Sequence, residues 1–317
     1  MRFRIALPGN NHIPPANDHV PEAADWVPAL AAPDFQEIAA TIDGLGYDAI
    51  TTSEHLAMPY EEVPRLGPYW MHALSVMSFV AGATKRVRVD ASVLVLPYYH
   101  PLALAKALST IDVLSGGRLD VSAGVGHAVR EFEALGVPFA ERGAITDEIL
   151  EATLVLWSED QPSFHSAHFD IEGVAFEPKP VQSPRPPIYI GGNSKPALRR
   201  AARYEGWQPN PTTFSVEEIP PLLDYLRSQP EFAGKEDTFD LCWVGSVPGV
   251  DRPAFGDLSD EGRRAHRDQI QERLAYLEKF GITSTSVPIP VTRSQGEYID
   301  YITWFSDEII AADKRAV

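Results

Sequence analysis

The sequence predicts an α/β protein, a (β/α)8 TIM barrel with insertion loops at its carboxyl-terminal face, formed by residues 1–317 as a single domain. Short apolar strands alternate with amphipathic helices, a pattern typical of a parallel sheet. The chain has 317 residues, enough for about eight such units, since one barrel commonly needs about 250 residues. The first strand lacks the GxGxxG turn that would favour an open dinucleotide-binding sheet.

The elements at the start of the chain are marked by apolar runs and stop signals. Phe3–Leu7 is a short apolar run and predicts the first strand. Asp34 is a suitable N-cap, and a helix from Asp34 to Leu45 ends where Gly46 interrupts it. Ala49–Thr52 predicts the second strand. A helix over Tyr69–Gly82 follows it.

The next units repeat this order of strand and helix. Val87–Leu96 is rich in valine and predicts the third strand. Pro101 suits a helix start, and the pair Gly116-Gly117 ends that helix. Leu119–Ser122 predicts a fourth strand, and Thr146–Trp157 a helix whose apolar residues share one face.

The second half of the chain continues the alternation. Its predicted strands are Pro187–Ile190, Phe239–Val247 and Thr283–Val287, and its predicted helices are Lys195–Tyr204, Asp260–Phe280 and Glu297–Ala312. Two segments are longer than a simple barrel needs, Asn10–Pro33 and Phe164–Pro186. Loops of this length in compact domains are usually functional or poorly ordered, and those after barrel strands line the active-site face.

Composition excludes several classes of function. The 27 Lys+Arg residues against 44 Asp+Glu give a net charge of −17, which argues against nucleic acid or an anionic membrane as a partner. Cys242 is the single cysteine, so disulfide frameworks and cysteine-rich zinc sites are excluded. No apolar run approaches the roughly 18 residues of a membrane span. We therefore expect a soluble, cytoplasmic globular protein.

The segment Ser53-Glu54-His55 follows the second predicted strand. Histidine titrates near neutrality, so at the barrel mouth His55 would suit proton transfer or hydrogen bonding to a bound ring. Glu54 could orient the imidazole or handle a proton itself. The alternative is that His55 caps a helix or fills a loop.

Glycine-rich turns follow two later strands. Gly191-Gly192-Asn193-Ser194-Lys195 joins a strand to a helix, where converging N–H groups and the helix dipole suit a phosphate; a plain strand-to-helix turn is the alternative. Gly124-Val125-Gly126-His127 either lies beneath a cofactor or is a flexible turn. His165 and His168 have HxxH spacing, but without convergent carboxylates we expect no metal site there.

Four segments resemble the bacterial luciferase-like monooxygenase family. They are SEHL at 53–56, LVLPYYHPLALAKALSTIDVLSGGRLDVSAGVG at 94–126, FEALGVPFAERGAITDEILE at 132–151 and PPIYIGGNSKPALRRAARYEGW at 186–207. The resemblance is closest to its branch of oxidoreductases that use the deazaflavin coenzyme F420. These motifs do not discriminate between F420 and FMN.

The resemblance implies a (β/α)8 barrel, usually dimeric, with the cofactor ring at the carboxyl ends of the strands. It places His55, preceded by Glu54, near the redox-active ring carbon. It implies a non-proline cis peptide at Ser92-Val93, or one bond away, behind the ring. The turn of Gly191, Gly192, Asn193 and Ser194 would match the family's phosphate site. One departure is Val129, which occupies the place of a carboxylate used as an acid by sugar-phosphate dehydrogenases of the family.

The leading hypothesis is an F420-dependent oxidoreductase that transfers a hydride between the deazaflavin and a small organic substrate. Lys195, Gly124, Gly126 and His127 are further candidate cofactor contacts. The first alternative is an FMN-dependent monooxygenase that uses O2 and a flavin reductase partner. The second is a non-catalytic flavin- or deazaflavin-binding protein, and a metallohydrolase barrel is more remote. The family favours a homodimer.

Overall fold

The computed structural model describes residues 1–9, 26–211, 214–245 and 247–311. Most of the predicted loop Asn10–Pro33 and the end of the last predicted helix, Ala312, lie outside these residues. The described strands are β1 (Arg2–Ala6), β2 (Ala49–Thr52), β3 (Arg88–Ala91), β4 (Leu94–Val95), β5 (Val121–Gly124), β6 (Phe164–His165), β7 (Asp170–Ile171), β8 (Ile188–Gly191), β9 (Gly206–Gln208), β10 (Asp240–Trp243) and β11 (Ser284–Ser286).

Helices follow the barrel strands in the described part of the chain. They are α1 (Ala32–Leu45), α2 (Val63–Leu66), α3 (Ala73–Ala83), α4 (Pro101–Ser115), α5 (Val129–Leu135), α6 (Arg142–Ser158), α7 (Lys195–Ala201), α8 (Ile219–Arg227), α9 (Asp260–Glu278) and α10 (Gln295–Phe305), which continues as a π-helical turn over Ser306–Ile310. Short 3-10 turns occur at Val27–Ala29, Leu96–Tyr98, Phe139–Glu141, Val216–Glu218, Pro230–Phe232 and Phe255–Asp257.

One parallel sheet carries nine of these strands in the order β3-β2-β1-β11-β10-β9-β8-β5-β4. β3 and β4 are two pieces of one barrel strand, because β3 pairs with β2 whereas β4 pairs with β5. A bridge between Val89 and Leu119 joins the two edges. The eight barrel positions confirm the predicted fold class. The single predicted strand Val87–Leu96 is corrected to two, with Ser92 and Val93 between them.

The elements that were not predicted are β6, β7, β9, α2, α5 and α8. β9 has three residues, too few to show alternation, and α8 begins with two prolines, Pro220 and Pro221, at its first turn. Proline is tolerated there because the first helical N–H groups have no partner within the helix. The predicted N-cap Asp34 instead lies at the third position of α1, and its carboxylate accepts a hydrogen bond from the N–H of Ala31 at 2.7 Å.

The barrel interior is polar at the level of Arg4, which is fully buried. Its Nη1 lies 2.5 Å from a carboxylate oxygen of Asp90, and Nη2 lies 3.5 and 3.6 Å from Asp120 and Asp240. The guanidinium also stacks on the ring of Tyr189 at 4.6 Å. A buried charge needs opposite charges of this kind around it, so these acidic residues compensate Arg4.

The second long segment, Phe164–Pro186, contains the antiparallel hairpin β6–β7. His168 lies 2.9 Å from both Glu148 and Glu141, which fixes the hairpin to the start of α6. His165 pairs with Asp170 at 2.5 Å. In the part of the chain that the structure describes, no group of three or more histidine, cysteine, aspartate or glutamate side chains is arranged to hold a metal ion. No described helix is long and apolar enough to span a bilayer.

Candidate active site

The loops that follow β2 and β3 are joined at the carboxyl-terminal mouth of the barrel. The N–H of Ser92 donates to the carbonyl of Thr52 at 2.6 Å, and the hydroxyl of Ser53 donates to the carbonyl of Ser92 at 3.1 Å. Backbone pairing of neighbouring strands thus continues past their ends. The predicted residues Glu54 and His55 follow immediately, so they lie beside the Ser92–Val93 segment.

The imidazole of His55 is held by a carboxylate that the sequence analysis did not select, Glu131. His55 Nδ1 lies 2.6 Å from Oε2 of Glu131, and the other oxygen accepts the backbone N–H groups of Leu56 at 2.7 Å and Ala57 at 3.1 Å. The hydroxyl of Tyr98 donates to Oε2 at 3.1 Å. Four donors therefore converge on one buried carboxylate.

This arrangement stabilises the charged form of Glu131. Burial alone would raise its pKa, but the hydrogen bonds from His55 and from the backbone of Ala57 and Leu56 outweigh burial, and the pKa is lowered. An ionised carboxylate can only accept hydrogen bonds, so it places the imidazole proton on Nδ1 and leaves the lone pair on Nε2. His55 is thereby oriented as a base through Nε2.

Glu131 lies in the first turn of α5, two residues after Val129, where the sequence departs from the family pattern. The available signal was an acidic residue in the first turn of a helix that follows the glycine loop after β5. Val129 itself is exposed, and its side chain has no donor or acceptor for His55. The carboxylate at this part of the mouth is therefore supplied by Glu131.

Two aromatic rings enclose His55. Trp70 meets it edge-on with 4.7 Å between ring centroids, and His127 does so at 5.7 Å. Partial burial and the neighbouring His55 lower the pKa of His127, which favours its neutral form. The predicted residue His127 thus lies at the same site as His55. Trp70 packs directly on the candidate base.

Glu54 lies behind this pair and is 4% exposed. One of its oxygens accepts the N–H of Val95 at 2.6 Å, and the other accepts the hydroxyl of Tyr99. Burial raises the pKa of Glu54 to about 7, with repulsion from Glu131 as a further raising contribution. Glu54 is hydrogen-bonded to the β4 segment rather than to His55.

The peptide bond between Ser92 and Val93 is cis, as the resemblance implies. The side chain of Val93 lies across the ends of β5 and β8. A Cβ added to Gly124 would come within 2.4 Å of Val93 Cγ2, and one added to Gly191 within 3.0 Å of Cγ1. A Cβ on Gly126 would meet Val95 at 2.6 Å. These glycines allow the Ser92–Val93 segment to cross the mouth of the barrel.

The turn between β8 and α7 is fixed by its own side chains. Asn193 pairs with the backbone of Asn210 through both its amide nitrogen, at 2.9 Å, and its amide oxygen, at 2.7 Å. Gly192 has φ +111°, and its carbonyl accepts the indole N–H of Trp207 at 2.7 Å. Ser194 caps α7, and Lys195 extends over the ring of Tyr225 at 5.3 Å.

The residues at the mouth fit a flat, phosphate-bearing ring cofactor. Glycines at the ends of β5 and β8 accommodate the side chain of Val93, which covers these strand ends at the mouth. The His55–Glu131 pair supplies a hydrogen-bonding group at one side, and the Gly191–Ser194 turn lies at the end of the neighbouring strand. These residues suit a cofactor whose ring edge contacts the imidazole of His55 and whose phosphate-bearing tail reaches the Gly191–Ser194 turn.

Comparison with known proteins gives one family match, to the luciferase-like monooxygenase family over residues 1–253. A solved structure with a similar fold is monooxygenase RslO1 from Streptomyces bottropensis, with a TM-score of 0.78 and 22% identity over 98% of this chain and 99% of that chain. At this identity the likeness concerns the fold, and it agrees with the barrel described above.

Two curated relatives carry different cofactors in their names. The FMNH2-dependent dimethylsulfone monooxygenase of Pseudomonas putida is 33% identical over 160 residues, 50% of this chain and 44% of that protein. The F420-dependent glucose-6-phosphate dehydrogenase of Amycolatopsis mediterranei is 29% identical over 174 residues, 54% of this chain and 50% of that protein. Both cofactor types therefore occur among its relatives.

Proposed function

Since the chain belongs to the luciferase-like monooxygenase family, whose members are flavin- or F420-dependent oxidoreductases and monooxygenases, we propose that it is an F420-dependent oxidoreductase acting on a small alcohol or carbonyl compound. The observation that supports this proposal is the His55–Glu131 pair, at 2.6 Å. Interconversion of an alcohol and a carbonyl moves one hydride and one proton. A carboxylate-oriented imidazole suits the proton.

His55, Glu131 and Trp70 have different roles at this site. His55 Nε2 takes the alcohol proton, or returns it to a carbonyl oxygen, while Glu131 holds the ring and stabilises the imidazolium. Trp70 restricts the rotation of His55 through its edge-on contact. When bound, the deazaflavin supplies the hydride chemistry at its ring carbon.

The same residues support a proposed position for the cofactor. We assign the ring to the part of the mouth bounded by Ser92, Val93, Gly124, Gly126 and His127, where the side chain of Val93 and the cis peptide would back one face of the ring. The phosphate is assigned to the backbone of Gly191, Gly192, Asn193, Ser194 and Lys195 at the start of α7. The amide of Asn193 holds the turn in place through Asn210, so its part in binding is to shape that backbone.

Equilibrium binding of the cofactor-free protein to F420 and to FMN, followed by fluorescence quenching, tests the proposal. We expect micromolar or tighter binding of F420 and weaker binding of FMN. Hydride transfer to or from bound F420 is then screened with small alcohols and ketones. Failure to bind either cofactor would refute the assignment of the site.

A matched pair of glycine variants tests the phosphate turn. Gly192→Ala places a Cβ at φ +111° and 3.4 Å from Ala197, so we expect F420 affinity to fall about tenfold or more. Gly234 has φ +82° and open space around it among the described residues, so Gly234→Ala introduces comparable backbone strain away from the site. Equal loss of affinity in both variants would contradict the assignment.

An FMN-dependent monooxygenase is the second candidate. The 33% identity to the FMNH2-dependent enzyme of Pseudomonas putida favours it. It would consume O2 and take reduced flavin from a reductase partner, whereas a deazaflavin reacts poorly with O2. Oxygen consumption with chemically reduced FMN and a candidate substrate would favour the FMN-dependent monooxygenase over the F420-dependent oxidoreductase. Binding of either cofactor without turnover of any substrate would favour a non-catalytic binding protein.

The oligomeric state, the partners and the cellular location of the protein are also proposals. We propose a homodimer in the cytoplasm that binds neither nucleic acid nor membranes, from the family's usual assembly and the net charge of −17. Sedimentation of the purified protein tests the oligomeric state. A reductase partner belongs only to the FMN-dependent candidate.

A further inference from the structure

A line of hydrogen bonds connects the buried carboxylate of Glu54 to the protein surface. The hydroxyl of Tyr99 donates to Oε1 of Glu54 and lies 3.4 Å from Nε2 of His72. Nδ1 of His72 lies 3.0 Å from the hydroxyl of Ser75. Glu54 is 4% exposed, Tyr99 is half-buried and His72 is exposed. Each member can both accept and release a proton, so the line is chemically continuous.

The inner end of this line is electrostatically coupled to the candidate base. Positive charge on His55 favours the charged form of Glu54, and the charge of Glu131 disfavours it. Burial raises the pKa of Glu54 to about 7, which allows it to exchange a proton near neutral pH. A positive charge arriving on His55 would favour loss of that proton.

The groups around the other members are also defined. Tyr99 faces Glu54 and Tyr98, and burial followed by the charge of Glu54 raises its pKa, so it stays protonated at rest. The ring of His72 lies edge-on to that of Tyr99, with 6.3 Å between the centroids. Neither Tyr99 nor His72 is assigned a place in hydride transfer.

We propose that Glu54, Tyr99 and His72 form a proton relay that releases a proton to solvent when His55 takes one from the substrate. This inference rests on the proposed function. When Glu54 is protonated, its carboxylic acid donates to the oxygen of Tyr99, and the hydroxyl of Tyr99 donates to Nε2 of His72. His55 gains the alcohol proton at Nε2, and Glu54 gives its own proton to the oxygen of Tyr99. Tyr99 passes its original proton to Nε2 of His72, which releases a proton to water. One proton is taken up and one is released, and Tyr99 remains neutral; carbonyl reduction runs the steps in reverse.

The relay can be tested without a cofactor. Protonated Glu54 has a carboxylic acid band in the infrared spectrum, which Glu54→Gln removes and thereby assigns. Tyr99→Phe deletes a hydrogen bond that lowers the pKa of Glu54, so we expect the titration of this band to move to higher pH than about 7. An unchanged titration in Tyr99→Phe would overturn the proposal.

The rate of proton exchange separates a relay from a structural contact. After a jump from pH 6 to pH 8, the band of Glu54 should decay about tenfold or more slowly in His72→Ala and in Tyr99→Phe than in the wild type. Added imidazole should restore the rate in His72→Ala but not in Tyr99→Phe. Equal decay in His72→Ala and the wild type would refute the relay.

A matched control and the loaded protein complete the experiment. His165 is an exposed histidine on β6 that pairs with Asp170, so His165→Ala should leave the decay unchanged with or without imidazole. If the relay variants alter proton exchange while the wild type binds no F420, the relay stands and the proposed function fails. If F420 reacts but proton exchange is the same in all variants, the proposed function stands and the relay fails.

Discussion

Nδ1 of His55 and Oε2 of Glu131 lie 2.6 Å apart, and this contact joins the loop after β2 to the first turn of α5. The second oxygen of Glu131 is fixed by two backbone N–H groups, so the carboxylate cannot rotate without losing them. A base positioned in this way keeps one tautomer and one direction. Helix α5 and the loop after β2 therefore both determine the orientation of His55.

Glu131→Gln tests this orientation. The oxygen of the new amide can still accept the N–H groups of Leu56 and Ala57, but its NH2 group would face Nδ1 of His55 as a donor. The imidazole proton should move to Nε2, which removes the base. We expect kcat to fall about a hundredfold or more with little change in KM, and nitrogen NMR of the cofactor-free protein to report the changed tautomer.

The control for this variant is Glu133→Gln on the same helix. Glu133 is exposed and pairs with Arg130 at 2.8 Å, away from His55. It should retain the wild-type tautomer and turnover. An unaltered tautomer in Glu131→Gln would show that another group orients His55.

Sequence alone predicts part of this site. His55 is recognisable because it directly follows a strand whose end must lie at the barrel mouth. Glu131 could not be paired with it, since 76 positions separate them and only the closed barrel brings the loop and α5 together. Glu54 was predicted as a partner of His55 because the two are adjacent in sequence. Its actual partners, Val95 and Tyr99, depend on the path of the chain after Ser92.

Gly124→Ala tests the packing at the barrel mouth. The added Cβ would lie 2.4 Å from Cγ2 of Val93, so the Ser92–Val93 segment must move. We expect a loss of about 1–3 kcal/mol in the free energy of unfolding, as for other overpacked sites, together with weaker cofactor binding. Urea denaturation and cofactor titration measure the two effects.

Val93→Ala in the same chain should relieve the clash. The double variant is expected to recover stability relative to the sum of the single variants, by about 1 kcal/mol. A Cβ added to Gly82, in α3, would meet no atom of the described residues within 4 Å beyond its own helix backbone, so Gly82→Ala should leave stability unchanged or raise it slightly. Additive effects of the Gly124 and Val93 variants would contradict the proposed contact.

The order of the barrel units was predictable because most strands bury apolar residues and several helices have a boundary residue such as Gly46 or Pro101. What failed were short or interrupted elements. β9 has three residues, and one barrel strand is interrupted between Ala91 and Leu94, a break that the valine-rich pattern of Val87–Leu96 does not reveal. Local pattern identifies an element's type, whereas its length depends on tertiary pairing.

Arg4→Met tests the polar centre of the barrel. It removes the cation that Asp90 and Asp240 face, and leaves buried carboxylates without compensation. We expect a loss of about 3–5 kcal/mol in the free energy of unfolding. Arg86 has a 71% exposed side chain, and Arg86→Met should change stability by no more than about 0.5 kcal/mol. If Arg4→Met changed stability as little as Arg86→Met, the buried carboxylates would not need the charge of Arg4 for stability.

Glu54 makes stability depend on pH, with a defined sign. Its pKa is about 7 in the folded protein against 4.5 for the unperturbed side chain, so the folded state binds more protons between these values. The stability contributed by protonated Glu54 is fully present below about pH 4.5 and is lost as the pH rises through about 7. Relative to Glu54→Gln, the free energy of unfolding of the wild type should fall by about 3 kcal/mol over this interval. Above this interval it should fall no further. Urea denaturation of both proteins at several pH values measures this difference, and a difference that stays constant with pH would refute a raised pKa for Glu54.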